Sequence, residues 1–305
     1  MIDPLAEVVT LLQPNAQFSK LVLGASPWRI SRSDAGQPFY CVMLEGGCHM
    51  AIGGHEPFEL MSGDFVLIPA AYGIAMSSLE PPPPGIQTTA PVAIGHGEFR
   101  IGAPGKRIDA RMMGGHCTFG SPDASLLVSL LPQFVHVRGE QRLATLVELV
   151  REESRAQRPA REVVLSRLLE VLLIEALRST AGTNASPGLV CGLSDARLAA
   201  AIRGMHQRPT HAWTVAELAK EAALSRSTFF ERFSHAVGVA PMQYLLTWRM
   251  ALAKDMLRRN AGRIAEIAER VGYSSASTFS VAFTRHVGRP PTQYAREEQA
   301  AANGA

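Results

Sequence analysis

The side chains of this sequence best equipped for chemistry are few. Four cysteines and nine histidines stand among 305 residues. Cys41, Cys48 and Cys117 fall in the first half, and two of them adjoin a histidine, Cys48 before His49 and Cys117 after His116. A thiol beside an imidazole can have a lowered pKa, react with oxidants or bind a soft metal. Cys41, Cys48, His49, His116 and Cys117 therefore form the candidate effector or redox site. The competing reading of these thiols is that of small buried hydrophobes. No CxxC pair is present, which excludes a zinc ribbon or a dithiol redox motif. The histidines of the N-terminal part, His49, His55, His96, His116 and His136, are scattered, with no His-x-His followed by a carboxylate. No cofactor is expected, the identity of any metal is left open, and a metal-dependent enzyme is kept as the alternative reading. A third possibility is an apolar pocket within a barrel, with Trp28, Phe39, Met43, Phe65 and Tyr72 available to line it.

The last third carries a different kind of signal. The stretch from Ser227 to Tyr244 returns 50 residues later, from Ser277 to Tyr294, with nine of 18 positions identical. Chance would give about one match. Each copy follows a short amphipathic segment and a tight turn. Val215, Leu218 and Ala219 precede the turn at Ala222-Ala223-Leu224-Ser225. Ile264, Ile267, Ala268 and Val271 precede the turn at Gly272-Tyr273-Ser274. Ser225 and Ser274 or Ser275 can cap the helix that follows. A short helix, a tight turn and a capped second helix make a helix-turn-helix, whose second helix enters the major groove of DNA. In both copies a phenylalanine pair at i and i+4, Phe229 with Phe233 and Phe279 with Phe283, faces inward and leaves the other face open. Two such units joined by a long helix can reach successive major-groove segments about 34 Å apart.

The surrounding elements fit this plan. Short apolar stretches at Leu21–Leu23, Phe39–Leu44, His49–Ile52 and Phe65–Ile68, parted by glycine turns, predict strands of a sandwich or barrel. Asp123 can cap a short helix ending about Leu131. Periodicity then predicts helices over 140–157 and 161–180, a hairpin whose apolar stripe is buried on the barrel or paired with a second copy of the chain. Further helices are expected over 194–207, 214–222, 226–236, 241–259, 263–271, 276–286 and 291–299. The chain is thus expected to be α+β and multidomain. A sensor and dimerisation domain spans 1–180, with its helical part about 123–180. A linker follows at 181–192, then an all-α domain with two helix-turn-helix units at 193–300. From Leu193 onward, 15 Lys and Arg stand against 9 Asp and Glu, while the part before it carries 15 against 18. A basic module behind an acidic one suits a polyanion partner. No apolar run approaches the roughly 18 residues of a membrane span. The opening, with Asp3 and Glu7, has no basic leader, so a cytoplasmic protein is expected.

The stretch from Trp213 to Tyr294 resembles the DNA-binding domain of the AraC/XylS family of regulators. The residues carrying the likeness are Trp213-Thr-Val-Ala-Glu-Leu-Ala219, Leu224-Ser-Arg-Ser-Thr-Phe229, Gly238-Val-Ala-Pro-Met-Gln-Tyr-Leu245, Trp248-Arg-Met-Ala-Leu-Ala253, Ile264-Ala-Glu-Ile-Ala268, Val271-Gly-Tyr-Ser274 and Gly288-Arg-Pro-Pro-Thr-Gln-Tyr294. Asp3-Pro4-Leu5, Ala25-Ser-Pro-Trp28, Leu44-Glu-Gly-Gly-Cys48 and Ser62-Gly-Asp-Phe-Val-Leu-Ile-Pro69 are similar to the cupin-type sensor of one branch of that family. The resemblance implies double-stranded promoter DNA as partner, with a homodimer, RNA polymerase and a small-molecule, oxidant or metal signal. It places Arg226, Ser227, Thr228, Phe230 and Glu231 toward the groove in the first unit. Ser275, Ala276, Ser277, Ser280 and Val281 match in the second. Glu231 and Val281 depart from the basic or polar residues usual there. Arg232, Arg285 and Arg289 are the expected phosphate contacts, which position without specifying sequence.

Overall fold

The computed structural model describes residues 3–32, 38–70, 73–80, 82–83, 90–120, 124–156, 158–179 and 187–303. The chain divides into two compact units. One comprises Leu12–Val128 with Pro132–Ser186, and the other Met1–Leu11, Ser129–Leu131 and Pro187–Ala305.

The first unit is built on two sheets. Strands β1 (Pro14–Ala25), β3 (Phe39–Glu45), β6 (Phe65–Ile68), β8 (Val92–Gly95), β9 (Glu98–Gly102), β10 (Ala110–Phe119) and β11 (Val135–Val137) form a sheet in the order β11-β6-β3-β10-β1-β9-β8. The second sheet is β2-β7-β4-β5, from Arg29–Arg32, Ile74–Ser78, Gly47–Ile52 and Phe58–Met61. One apolar core joins residues of both sheets, among them Met43, Val66 and Met112 with Met50, Leu60 and Met76. The four strands read from the sequence fall within β1, β3, β4 and β6. The others lack a clean signal for a physical reason. Strand β10 has Gly114 in its middle, where a Cβ would stand 2.3 Å from the carbonyl oxygen of Tyr40. The neighbouring backbone, not a side-chain pattern, dictates that residue.

After helix α2 (Ala124–Val128), helices α3 (Gln141–Arg155) and α4 (Arg161–Arg178) form the expected hairpin, while Asp123 lies outside the described residues. Glu140 caps α3, its carboxylate accepting from the Arg142 amide. The apolar stripe is divided. Leu143, Val147, Val150, Leu165, Leu169, Leu172 and Leu173 are buried, with the pair lying on β1. Val164 and Val171 instead point outward, each 40% exposed.

The second unit is helical. Its elements are α5 (Leu189–Ser194), α6 (Ala196–Gln207), α7 (Val215–Glu221), α8 (Arg226–Val237), α9 (Pro241–Arg258), α10 (Ile264–Arg270), α11 (Ala276–Val287) and α12 (Pro291–Asn303). Two boundaries differ from the sequence reading. The linker expected over 181–192 runs into α5, because Leu189 and Val190 are apolar enough to be buried and Gly192 admits Val237 and Ile202 at close range. Residues 180–186 lie outside those described. The first helix, α1 (Pro4–Leu12), is expected in the sensor domain, and by its contacts its residues through Leu11 cluster with the helical unit. The reason is a buried polar anchor. Glu7 accepts from His206 Nδ1 at 2.7 Å, and His206 Nε2 lies 2.7 Å from the Tyr244 hydroxyl. A carboxylate only accepts, so Nδ1 carries the proton and Nε2 accepts from the tyrosine. His206 stacks on Trp248, with ring centroids 4.0 Å apart. Burial holds its pKa below the ordinary imidazole value, with Glu7 pulling the other way. No helix among the described residues is long and apolar enough to cross a membrane.

Candidate nucleic-acid interface and ligand cavity

The two repeated units are built alike at every level. In the first, Thr214 and Glu217 form a capping box at the start of α7. The chain then turns through Ala223, at φ 50°, whose N–H bonds the Lys220 carbonyl while that of Leu224 reaches back to Ala219. In the second, Gly272 at φ +87° repeats the pattern, its N–H bonding Glu269 and that of Tyr273 reaching Ala268. The left-handed corner thus falls on glycine once and on alanine once, and only the glycine is legible in the sequence. Gly272 is needed twice over, since a Cβ there would stand 2.7 Å from Arg249 Nη2 and 2.8 Å from the Pro209 carbonyl oxygen.

Both second helices start on the same cap. The Ser225 hydroxyl accepts from the Thr228 amide at 3.2 Å, and Ser275 from the Thr278 amide at 3.2 Å. Both then bury the same aromatic ladder. Phe229, Phe233 and Tyr244 meet at centroid distances of 5.5 and 5.8 Å. Phe279, Phe283 and Tyr294 meet at 5.5 and 5.6 Å. All six rings are fully buried. An inward face locked by aromatics fixes which side chains of each helix point out.

The outward residues can be placed one by one. On α8, Arg226, Ser227, Thr228, Phe230 and Glu231 are exposed. Arg232 is exposed too, but its Nε is 2.6 Å from Asp195. On α11, Ser277, Val281 and Arg285 are exposed, one helical turn apart. Gln243 of α9 borders the same groove, a residue that the sequence reading passed over. Ala276 is half-buried, Ser275 is occupied by its cap, and Ser280 donates to the Ala276 carbonyl at 2.7 Å. Arg289 is paired with Glu297 and Glu298 and sits over the Tyr294 ring. Surface ion pairs of this kind contribute about 0–1 kcal/mol, so a phosphate can replace them at small cost.

The candidate redox set is split: Cys41 and His116 line one cavity, and Cys41 shares the core with Cys48. Successive residues of a strand point to opposite faces. Cys48 is accordingly buried in the core while His49 turns out toward Glu59, 3.4 Å away. His116 and Cys117 likewise part company across β10. Burial pushes the thiols of Cys41 and Cys117 up to about 12 and raises Cys48 as well. This corrects the expectation of lowered thiol pKa values. Among the described residues no three His, Cys, Asp or Glu side chains stand close enough to hold a metal.

What the sheets do enclose is a cavity of about 350 Å³. Phe39, Cys41, Ile74, Met76, Phe99 and Met112 supply apolar wall, and Lys20, Ser31, Arg32 and His116 supply polar groups. Of the expected lining residues that are described, Phe39 belongs to it. Trp28, Met43 and Phe65 are packed into the core, and Tyr72 lies outside the described residues. Arg32 Nη1 contacts His116 Nε2, and Lys20 Nζ stands 4.9 Å above the Phe99 ring. His116 belongs to the redox candidates read from the sequence, whereas Lys20 and Arg32 carry no motif that marks them.

Comparison with known proteins agrees with both halves. A cupin family model matches residues 3–182, and a helix-turn-helix domain model matches residues 218–297. A model of the N-terminal part of tetR-family bacterial regulators covers residues 198–235, around the first unit. A putative AraC-like transcription regulator of Streptomyces lividans is 33% identical over 96% of this chain and 98% of its own length. One from Streptomyces antibioticus is 34% identical over the same shares. An uncharacterised HTH-type transcriptional regulator of Haemophilus influenzae is 26% identical, again over 96% and 98%.

Proposed function

The chain belongs to the AraC-like DNA-binding transcription regulators with an N-terminal cupin domain, and from that premise we propose that it is sequence-specific and that its cupin cavity receives a small-molecule signal. The observation that carries the reading is the congruence of α8 and α11, with the same cap, the same aromatic anchor and opposite faces open to solvent. Two helices of this form suit a bipartite site read by one chain.

In this reading the first unit specifies more strongly. Arg226 can pair with guanine, and Phe230 can meet a thymine methyl. Glu231 can accept from a cytosine amino group, at a price in attraction to phosphate. The second unit leans on Ser277, Val281 and Arg285, so shape and methyl contacts weigh more there. Arg232 and Arg289 exchange their carboxylate partners for phosphates. A second copy of the chain is proposed to cover the outward stripe of α4, where Val164, Leu168 and Val171 follow at i, i+4 and i+7.

The test is fluorescence anisotropy of the full chain on duplexes from upstream of its own and neighbouring genes, with scrambled duplexes as reference. A preference of about 10³ or more with a steep salt dependence supports the proposal. Equal affinity for all duplexes, with and without candidate effectors, refutes it.

A further inference from the structure

The arginines proposed to face DNA fall into two kinds. Arg226 and Arg285 are exposed, and among the described residues neither meets a carboxylate. Arg232 and Arg289 are occupied. The Asp195 carboxylate is shared between two partners. Its Oδ1 accepts from the Arg197 and Leu198 amides and caps α6, while its Oδ2 lies 2.6 Å from Arg232 Nε. The cap fixes the carboxylate, whose side chain is 17% exposed against 51% for Arg232. Arg289 stands at the corner after α11, and its two terminal nitrogens go to different carboxylates of α12. Nη1 meets Glu297, and Nη2 lies 3.5 Å from Glu298. Gln293 donates to the other Glu297 oxygen at 2.8 Å and steadies it. The duplication does not account for these pairs. Ala282 stands at the counterpart of Arg232, and Val239 at that of Arg289. Each unit thus holds one masked arginine at a place of its own.

Resting on the reading of α8 and α11 as DNA-facing, we propose that Asp195, Glu297 and Glu298 are internal stand-ins for DNA phosphates. They hold Arg232 and Arg289 in the free chain and set a sequence-independent threshold on DNA binding. The chemistry of the exchange is simple. Carboxylate and phosphate oxygens are both ionised acceptors for a guanidinium, so DNA replaces one anion by another. Binding without sequence preference comes almost wholly from phosphate contacts. A chain that gives up an ion pair for each such contact therefore loses the same factor on every sequence. Arg226 and Arg285 have no such competitor, so the side chains open to base edges still decide where the chain binds. An exposed ion pair is worth up to about fivefold in an equilibrium. Both pairs belong at the upper end of that range, because Asp195 is mostly buried and Arg289 has two partners. Together they set a threshold of up to about 25-fold.

The experiment uses the full-length chain and fluorescence anisotropy, on a duplex from upstream of its own gene and on a scrambled duplex. Asp195→Asn keeps a side-chain oxygen for the α6 cap. Glu297→Gln and Glu298→Gln keep the shape of the other two, and melting curves check that each variant folds. The triple variant should bind both duplexes about 5- to 25-fold more tightly than the parent, with the ratio between them unchanged. In an Arg232→Gln, Arg289→Gln background the same three substitutions should change little, because no arginine remains to be released. A general loss of negative charge would act in both backgrounds. The two arginine substitutions alone should weaken both complexes and flatten the slope of log affinity against log salt by about 1.8, or 0.9 per phosphate. The proposal is overturned if the triple variant matches the parent, if its gain survives without the two arginines, or if the gain is confined to one duplex. Should α12 not tolerate its paired substitutions, Asp195→Asn with and without Arg232→Gln carries the same test, with an expected gain of about two- to fivefold. A parent that binds both duplexes equally but shows the gain refutes the sequence-specific reading and leaves the masking in place. A parent with a clear preference and no gain does the reverse.

Discussion

Val281 offers the sharpest test of whether α11 meets DNA. It is 71% exposed in the middle of the helix, one turn from Ser277 and one turn from Arg285. Consider Val281→Arg. The new cation lies at i, i+4 from Arg285, a like-charge pair that costs about 0.2–0.5 kcal/mol. Replacing a β-branched residue by a straight chain returns a few tenths of a kcal/mol in helix propensity, on the order of 0.3. The fold should therefore hardly notice, and the melting temperature should stay put. Bound to DNA, the variant has two ways to show itself. If the guanidinium reaches a phosphate, the slope of log affinity against log salt steepens by about 0.9. If it finds guanine, affinity for that duplex rises by about 1–3 kcal/mol, roughly 5- to 150-fold. Val281→Glu at the same place should weaken binding at every salt concentration. Anisotropy at three salt concentrations measures all of this. Should both variants follow the parent within about twofold throughout, α11 does not approach the duplex, and the salt-slope argument fails with it.

Further predictions address the scaffold beneath that surface. Phe233→Ala and Phe283→Ala each empty an equivalent buried position and should cost about 3–5 kcal/mol by denaturant titration; values below 1 would deny the shared aromatic anchor. Ala223→Gly should relieve a left-handed alanine and leave stability equal or raise it by up to about 1 kcal/mol, whereas Gly272→Ala should lower it, and the opposite order of melting temperatures would refute the common corner. His206 has a lowered pKa in the folded chain, so above the ordinary imidazole value it is neutral in both states and pH has no leverage through it. As pH falls through about 6.5 the unfolded chain takes the proton first, and stability declines until the folded pKa is reached. Melting curves from pH 7.5 to 5.5 should show this decline in the parent and a flatter one in His206→Gln. Intact-mass labelling with a thiol reagent should modify Cys191 well before Cys41, Cys48 or Cys117, whose raised pKa and burial keep them as thiols.

How much of this was legible in the residues depends on whether the signal is local. Helix caps, the Phe pair at i and i+4, and the duplication from Ser227 to Tyr294 are short-range patterns. They mark the helix-turn-helix elements nearly residue for residue. The strands of the barrel were legible only in part. Residues of β10 answer to neighbours on two sides, and Gly114 is chosen by the backbone of Tyr40 rather than by any period. Adjacency misled at Cys48-His49 and His116-Cys117, because a strand sends neighbours to opposite faces.

The sequence by itself therefore determined the helical module, its repeated outward faces and the α3–α4 hairpin, since each is written within a few turns of chain. Tertiary structure decided the rest. It seated Glu7 on His206 across 199 positions and gave α1 to the helical unit. It brought Lys20 of β1 and Arg32 of β2 into one cavity with His116 of β10. Those juxtapositions depend on strand order and register, which are set by the packing of the whole sheet and leave no trace in the spacing of the residues they unite.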